Sequence, residues 1–240
     1  MLTPGYPGIG QGEEGLLALR EDSSALASVG VREVMDHLTG IVEDLDTPPI
    51  IMGHSFGGTF AQLLVGNGLG AAGVSIDSAA VKGINAMPLS EIRSVLPALK
   101  DPANLHRAVP LTPRQFHYAF TNTLSEEASQ AAYDRYAAPP PPGSCSRAAS
   151  RRSPRTPPPP STSPTTTGPL LFISGGSDHI LPPVVQRHNY EKNAKHSTAI
   201  AAHAVFAGRD HFTCGEPGWE AVADFALDWA LAPVSGELVP

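Results

Sequence analysis

Apolar positions change their period several times along the chain, and each change marks an element. Val31, Val34, Met35, Leu38, Ile41, Val42 and Leu45 fall at helical spacing, which gives one apolar stripe that needs a sheet to cover. Pro48-Pro49 stops this helix. Ile50-Ile51-Met52 is then a short apolar run of the kind found in strands buried on both faces. Gly53 to Gly58 read as a turn, Phe60 to Val65 as a helix ended by Gly66-Asn67-Gly68, and Gly73-Val74-Ser75-Ile76 as the next buried strand.

From Lys82 to Ala138 the pattern turns helical, with Thr112-Pro113 as a cap and first-turn pair and Ser125-Glu126-Glu127 as a second acidic helix start. Leu170-Leu171-Phe172-Ile173 supplies a third buried strand, and Ala199 to Phe206 a fourth. In the final helix Trp219, Val222, Phe225, Ala226 and Trp229 share a face, and Pro233 follows its end. Strands alternating with helices predict an α/β fold: a mostly parallel sheet with helices on both faces. Residues 1–81 and 169–240 form its core, and 82–138 a helical insertion above the sheet.

Residues 139–168 differ in kind, with four arginines, no acid and otherwise little but Pro, Ser, Thr, Ala and Gly. Such a segment cannot bury a core and is expected to be disordered. A Pro-rich linker or ligand and an out-of-frame translation of GC-rich DNA both fit it; the abrupt change, and the recovery at Leu170, favour the second.

Composition narrows the function. The 240 residues suffice for one sizeable core. A net charge of −7 with mixed signs offers no basic face to nucleic acid. Cys145 and Cys214 lie far apart without CxxC spacing, so neither a disulfide framework nor a zinc site is encouraged. The amino terminus lacks a basic start followed by an apolar run, and no segment approaches 18 uninterrupted apolar residues, so no membrane association and a cytoplasmic location are expected. With no phosphate loop, metal-ligand cluster or dinucleotide fingerprint, no cofactor and no metal are expected.

The chemistry is carried by Gly53-His54-Ser55-Phe56-Gly57, a G-x-S-x-G pattern set between a predicted buried strand and a helix. A sharp strand-to-helix turn, with Gly53, Gly57 and Gly58 allowing close backbone approach, pushes the Ser55 hydroxyl into the open. Against this stands the common case of a serine that merely caps its helix. A nucleophilic hydroxyl also needs a base, held in the right tautomer by a carboxylate. Candidates follow in the order Ser, Asp, His: Asp178 in Ser174-Gly175-Gly176-Ser177-Asp178-His179 just past a strand, and His211 in Gly208-Arg209-Asp210-His211 before the last helix. Asp77, past the preceding strand, is an alternative acid. Asp210, adjacent to the base in sequence, ranks below both. The remaining histidines read as motif neighbours, surface or structural residues.

With these three motifs in order, the chain resembles the α/β-hydrolase superfamily over nearly its whole length outside the Pro-rich stretch. Gly53-His54-Ser55-Phe56-Gly57-Gly58 is similar to bacterial esterase, lipase and perhydrolase members with a helical cap after the sixth strand. The resemblance implies ester hydrolysis through an acyl-enzyme on a small-molecule acyl substrate, with the Phe56 backbone N–H at the oxyanion and residues 82–138 as the cap. Asp-nucleophile chemistries are disfavoured by Ser55. C–C, thioester, perhydrolase and cyanohydrin-lyase chemistry remain alternatives on the same triad.

One departure from the family bears on competence. The second oxyanion donor normally comes from a loop after the third strand, and the 54 residues before Ser55 contain no such loop. Tyr6-Pro7-Gly8 resembles the segment after the fourth strand, so the first strands are expected to be missing. An impaired remnant or binding protein is therefore the alternative function; oligomeric state stays open.

Overall fold

The computed structural model describes residues 1–10, 12–81, 110–139 and 168–232. The Pro-rich stretch from 140 to 167, Cys145 and residues 82–109 of the predicted cap lie outside them. Four parallel strands, β1 (Ile50–His54), β2 (Ala72–Ile76), β3 (Leu170–Gly175) and β4 (Ala201–Phe206), stand in the order β1-β2-β3-β4. Seven α-helices and one short 3-10 helix (Ser24–Ser28) accompany them among the described residues. Before the sheet come α1 (Gly12–Glu21) and α2 (Val31–Glu43); α3 (Phe56–Gly66) links β1 to β2. The insertion after β2 holds α4 (Pro113–Phe120) and α5 (Glu126–Tyr136); α6 (Pro183–His196) links β3 to β4, and α7 (Trp219–Leu231) closes the chain.

The core sits at the middle of the sheet, where every residue of β2 and β3 is buried. On one face Val74, Ile76, Leu171, Ile173 and Ala202 pack against Val222 and Ala226 of α7. On the other, α3 and α6 lie against β2 through a buried polar lattice. Gln62 Nε2 donates to Ser75 Oγ at 2.9 Å and Ser78 Oγ at 2.7 Å, and Gln186 Nε2 donates to the carbonyls of Ser75 at 2.7 Å and Ile173 at 3.1 Å. Gln186 Oε1 in turn accepts from Ser78 Oγ at 2.6 Å, so the buried polar atoms of this face satisfy one another.

Several expectations shift. The run Ile50-Ile51-Met52 does form a strand, but β1 is an edge among the described residues and is only partly buried, with Met52 42% exposed. An apolar run alone cannot separate a central strand from an edge strand lying beside an apolar groove, here lined by Leu38, Ile41, Phe60 and the Met1–Tyr6 segment. The expected turn over Gly53 to Gly58 contracts to the single residue Ser55, because β1 runs to His54 and α3 starts at Phe56. Trp219, at the first position of α7, is 45% exposed. Helix α1 was not expected; Gly15 is its one buried residue, so it shows no apolar stripe.

The two insertion helices carry the predicted caps: Thr112 Oγ1 accepts from Gln115 N and Ser125 Oγ from Ala128 N. No helix among the described residues is long and apolar enough to cross a membrane.

Ile173 is fully buried between β2 and β4. Ile173→Ala is expected to cost about 2–5 kcal/mol, read as a lower urea midpoint at unchanged slope.

Candidate active site

Ser55 occupies the one-residue turn with φ 55° and ψ −122°, one of two non-glycine residues with positive φ among those described. Such a backbone is costly for a residue with a side chain and persists only where its surroundings hold it. Here the Ser55 N–H donates to Ile76 O at 2.9 Å, and its carbonyl accepts from Gly58 N at 3.0 Å and Thr59 N at 3.3 Å. Gly53 makes the turn possible, since a Cβ there would lie 2.1 Å from Gly57 O. A Cβ on Gly58 would meet Ser78 Cβ at 2.8 Å, whereas one on Gly57 would meet nothing within 4 Å. The close approach expected of three glycines is thus required of Gly53 and Gly58 alone; Gly57 faces open space. Although Ser55 stands at the N-cap of α3, its hydroxyl makes no capping hydrogen bond. The bland explanation of this serine is excluded, and its Oγ is left for another partner.

That partner is His211, whose Nε2 lies 3.2 Å from Ser55 Oγ. On the other side of the ring Nδ1 lies 2.7 Å from Asp178 Oδ2, both side chains being buried. An ionised carboxylate only accepts, so Nδ1 carries the proton and Nε2 presents its lone pair to the serine. Asp178 is itself held: its Oδ1 accepts from the backbone N–H groups of Ile180 at 2.7 Å and Leu181 at 2.8 Å. The strand ends and the loop before α7 therefore bring Ser55, His211 and Asp178, as expected from sequence, into one hydrogen-bonded line.

Asp77, the alternative acid, lies at the end of β2 rather than on the His211 Nδ1 atom. It is fully buried, has φ 42°, and accepts from Gly175 N–H at 2.6 Å through Oδ1. Burial first, and the nearby Asp178 charge second, push its carboxyl well above the ordinary range. Asp210 turns away from the ring: Oδ1 accepts from Phe212 N and Oδ2 from both Thr123 N and Thr123 Oγ1.

His54 does more than its place in the motif suggested. Its Nε2 donates to the His211 carbonyl at 2.8 Å, and the two rings lie 4.7 Å apart, centroid to centroid. Burial, then the neighbouring His211, lower the His54 pKa from 6.5 to about 4. One ring nitrogen each of His54 and His211 and one carboxylate oxygen of Asp77 lie within 4.8 Å of one another. That is the spacing of a ligand set, and an ion held there would compete with the proton chemistry of His211. Nothing in the motif's spacing announces the His54 contact, because it depends on where the His211 loop lands.

The cap helices are fastened to the two loops that carry acid and base. Asn122 Nδ2 donates to Ser177 O at 3.0 Å, one of the His179 ring nitrogens donates to Tyr118 O at 2.8 Å, and Thr123 binds Asp210. Phe120 meets the His211 ring edge to face at 5.4 Å. Phe56, which follows the serine, begins α3 and is 62% exposed. Cys214 is an exposed free thiol.

A nucleophile turn at the end of one parallel strand, an acid after a later strand and a histidine before the last helix agree with the family that the sequence resembles. The model of the alpha/beta hydrolase family matches residues 2–225. The chain belongs to that family. A search of curated protein sequences gives no match. Among solved structures, this hydrolase is similar to a monoacylglycerol lipase of Paleococcus ferrophilus, at 19% identity and TM-score 0.53, over 84% of this chain and 75% of that one. It is similar too to an extracellular alpha/beta-hydrolase of a Paenibacillus species, at 18% identity and TM-score 0.53, over 84% and 80%. A bromoperoxidase of Bacillus anthracis aligns at 17% identity and TM-score 0.52, over 84% and 72%. At these identities the likeness establishes the fold, and activity has to be argued from the site.

The lowered pKa of His54 gives a stability prediction. Between pH 6.5 and about 4 the unfolded chain binds a proton at this residue that the folded chain does not. Stability therefore falls as pH drops through that window, by on the order of 2–3 kcal/mol from this group. His54→Gln, which keeps a donor for the His211 carbonyl, is expected to remove that part of the slope when urea midpoints are compared at pH 7 and pH 4.5.

Proposed function

We propose that the chain is a serine hydrolase that cleaves a carboxylic ester of a small-molecule acyl substrate through an acyl-enzyme. The reading is carried by one observation, the continuous line from Asp178 Oδ2 through His211 to a Ser55 Oγ that caps nothing. Ser55 Oγ attacks the acyl carbon while His211 Nε2 takes its proton; the carbonyl π electrons move onto oxygen to give a tetrahedral oxyanion. The Phe56 N–H, at the amino terminus of α3, is the donor nearest in sequence to this charge, and the helix dipole favours it. Collapse breaks the C–O bond to the alcohol, which leaves with the proton from His211. Water, deprotonated by His211, then attacks the acyl-Ser55 carbon and releases the carboxylic acid. Asp178 stays ionised throughout and offsets the positive charge that the ring carries in each transition state.

The buried state of His211 and Asp178 supports this reading, because a charge pair in a dry site is worth more than the same pair in water. Phe120 of α4, set edge to face on the His211 ring at 5.4 Å, contributes to that enclosure.

With p-nitrophenyl acetate or butyrate, turnover is expected to depend on Ser55, and Ser55→Ala to lower kcat by up to about 10⁶-fold. A fluorophosphonate is expected to label the wild-type chain at Ser55. Labelling of equal rate in Ser55→Ala would overturn the proposal.

A further inference from the structure

His54 at the end of β1, Asp77 just past β2 and His211 in the loop before α7 meet at one point, and each has one polar atom anchored by the protein and a second one free to bind. His54 Nε2–H donates to the His211 carbonyl at 2.8 Å, so on the neutral ring Nδ1 carries the lone pair. His211 Nδ1–H donates to Asp178 Oδ2 at 2.7 Å, which leaves the lone pair on Nε2, 3.2 Å from Ser55 Oγ. Asp77 Oδ1 accepts from Gly175 N–H at 2.6 Å, while Oδ2 is buried with no hydrogen-bond partner among the described residues. One ring nitrogen of each histidine and one oxygen of Asp77 lie within 4.8 Å of one another, and no other three of His, Cys, Asp and Glu come together in this way among the described residues. Protein metal ligands are held on the same plan: a coordinating imidazole gives its other N–H to a carbonyl or carboxylate, which fixes the tautomer and raises the basicity of the coordinating nitrogen.

We propose that His54, Asp77 and His211 form an inhibitory site for a zinc-class divalent cation, with Ser55 Oγ or a water as the fourth ligand. That a bound ion silences the enzyme rests on the proposed Ser55–His211 chemistry; that the ion binds does not. Two imidazoles and a carboxylate suit Zn²⁺, whereas Ca²⁺ and Mg²⁺ take oxygen ligands. The charge fits as well, since Asp178, Asp210 and Glu216 each oppose a negative charge on Asp77 and a divalent cation offsets all of them. Zinc binds nitrogen and oxygen at about 2.0–2.2 Å, so tetrahedral donors stand roughly 3.4 Å apart. The three donors have to draw in from at most 4.8 Å, and Asp77 Oδ2 breaks no hydrogen bond in moving. His54 and Ser55 are partly exposed, which gives the ion an approach. Coordination occupies the Nε2 lone pair that would take the Ser55 proton, so a bound ion and an activated nucleophile exclude each other. No electron is transferred, and a proton held by Asp77 passes to solvent as the ion binds.

The experiment titrates zinc chloride into the chelator-treated full chain at neutral pH and follows three signals. Calorimetry is expected to show uptake of zinc, and ¹⁵N NMR to shift a ring nitrogen of His54 and of His211 together. The rate of fluorophosphonate labelling at Ser55 is expected to fall at least about 10-fold at saturation and to return when EDTA is added. His54→Gln and Asp77→Asn are each expected to weaken zinc binding by about 10–100-fold and to move the inhibition to correspondingly higher zinc. Ser55→Ala, which keeps the three ligands, is expected to bind zinc still. The histidine shifts are read on the wild-type chain and identify the ligands even where a variant does not fold.

No uptake of zinc, an affinity unchanged in both ligand variants, or shifts confined to histidines other than His54 and His211 would overturn the inference. Labelling that keeps its metal-free rate with the site filled would overturn it too. A metal-free wild-type chain that does not label at Ser55 would mean that the hydrolase reading itself has failed. Calorimetry and the histidine shifts then decide the metal site alone.

Discussion

The 2.7 Å contact between His211 Nδ1 and Asp178 Oδ2 is the interaction on which the site depends. It sets the tautomer, so it decides whether Nε2 reaches Ser55 with a lone pair or with a proton that would be useless to a nucleophile. The contact cannot be kept by the two side chains alone, since burying a carboxylate is costly unless its remaining polar atoms are satisfied. Asp178 meets this condition through Ile180 and Leu181, and the His211 carbonyl meets it through His54. The insertion then completes the enclosure with Phe120 against the ring and Thr123 on Asp210. In the proposed mechanism, removing any of these supports acts through the orientation of one imidazole.

That geometry is possible because three consecutive strands of one parallel sheet end at the same edge. β1, β2 and β3 deliver Ser55, Asp77 and Asp178 in that lateral order, with neighbouring strands about 4.8 Å apart. An imidazole that joins the first and third positions has to pass over the second, so whatever residue ends β2 lies under the base. In this chain that residue is an acid. The same edge carries the strain: the Ser55 and Asp77 backbones both adopt positive φ, and the buried lattice of Gln62, Ser75, Ser78 and Gln186 behind them provides the rigidity that holds it.

Much of this was legible in the sequence, for local reasons. Leu170 to Ile173 is apolar without interruption because both faces of β3 are covered, and the Ser55 turn is legible because only glycine at position 53 admits the following helix so closely. The order of Ser, Asp and His follows from the order of the strands. What escaped depends on contacts between distant segments. Leu38 and Ile41 made α2 visible, but the edge position of β1 is a property of what pairs with it. His54 reaches a carbonyl 157 residues away, and Gly57 is a motif glycine with nothing beside it. Trp219 matched the apolar face of α7 by spacing and yet is 45% exposed at the first position of the helix, because spacing gives the face of a residue and not what covers it.

The charges around the base show why burial at this site cannot be judged pair by pair. Asp77, Asp178, Asp210 and Glu216 are all buried close together, and Arg209 lies 3.3 Å from Glu216. Four anions cannot share such a volume. Glu216 is pushed upward by burial and then by Asp210, and Asp77 by burial and then by Asp178. Asp210 and Asp178, by contrast, each receive at least three hydrogen bonds from N–H and O–H donors. Hydrogen-bond donors thus converge on Asp178 and Asp210, whereas Asp77 accepts from Gly175 N–H through Oδ1 alone among the described residues. An imidazolium forming at His211 meets one fully solvated-by-protein carboxylate at contact distance and a second, donor-poor carboxyl group close behind. In the proposed reaction a positive charge on the ring faces the Asp178 carboxylate at 2.7 Å.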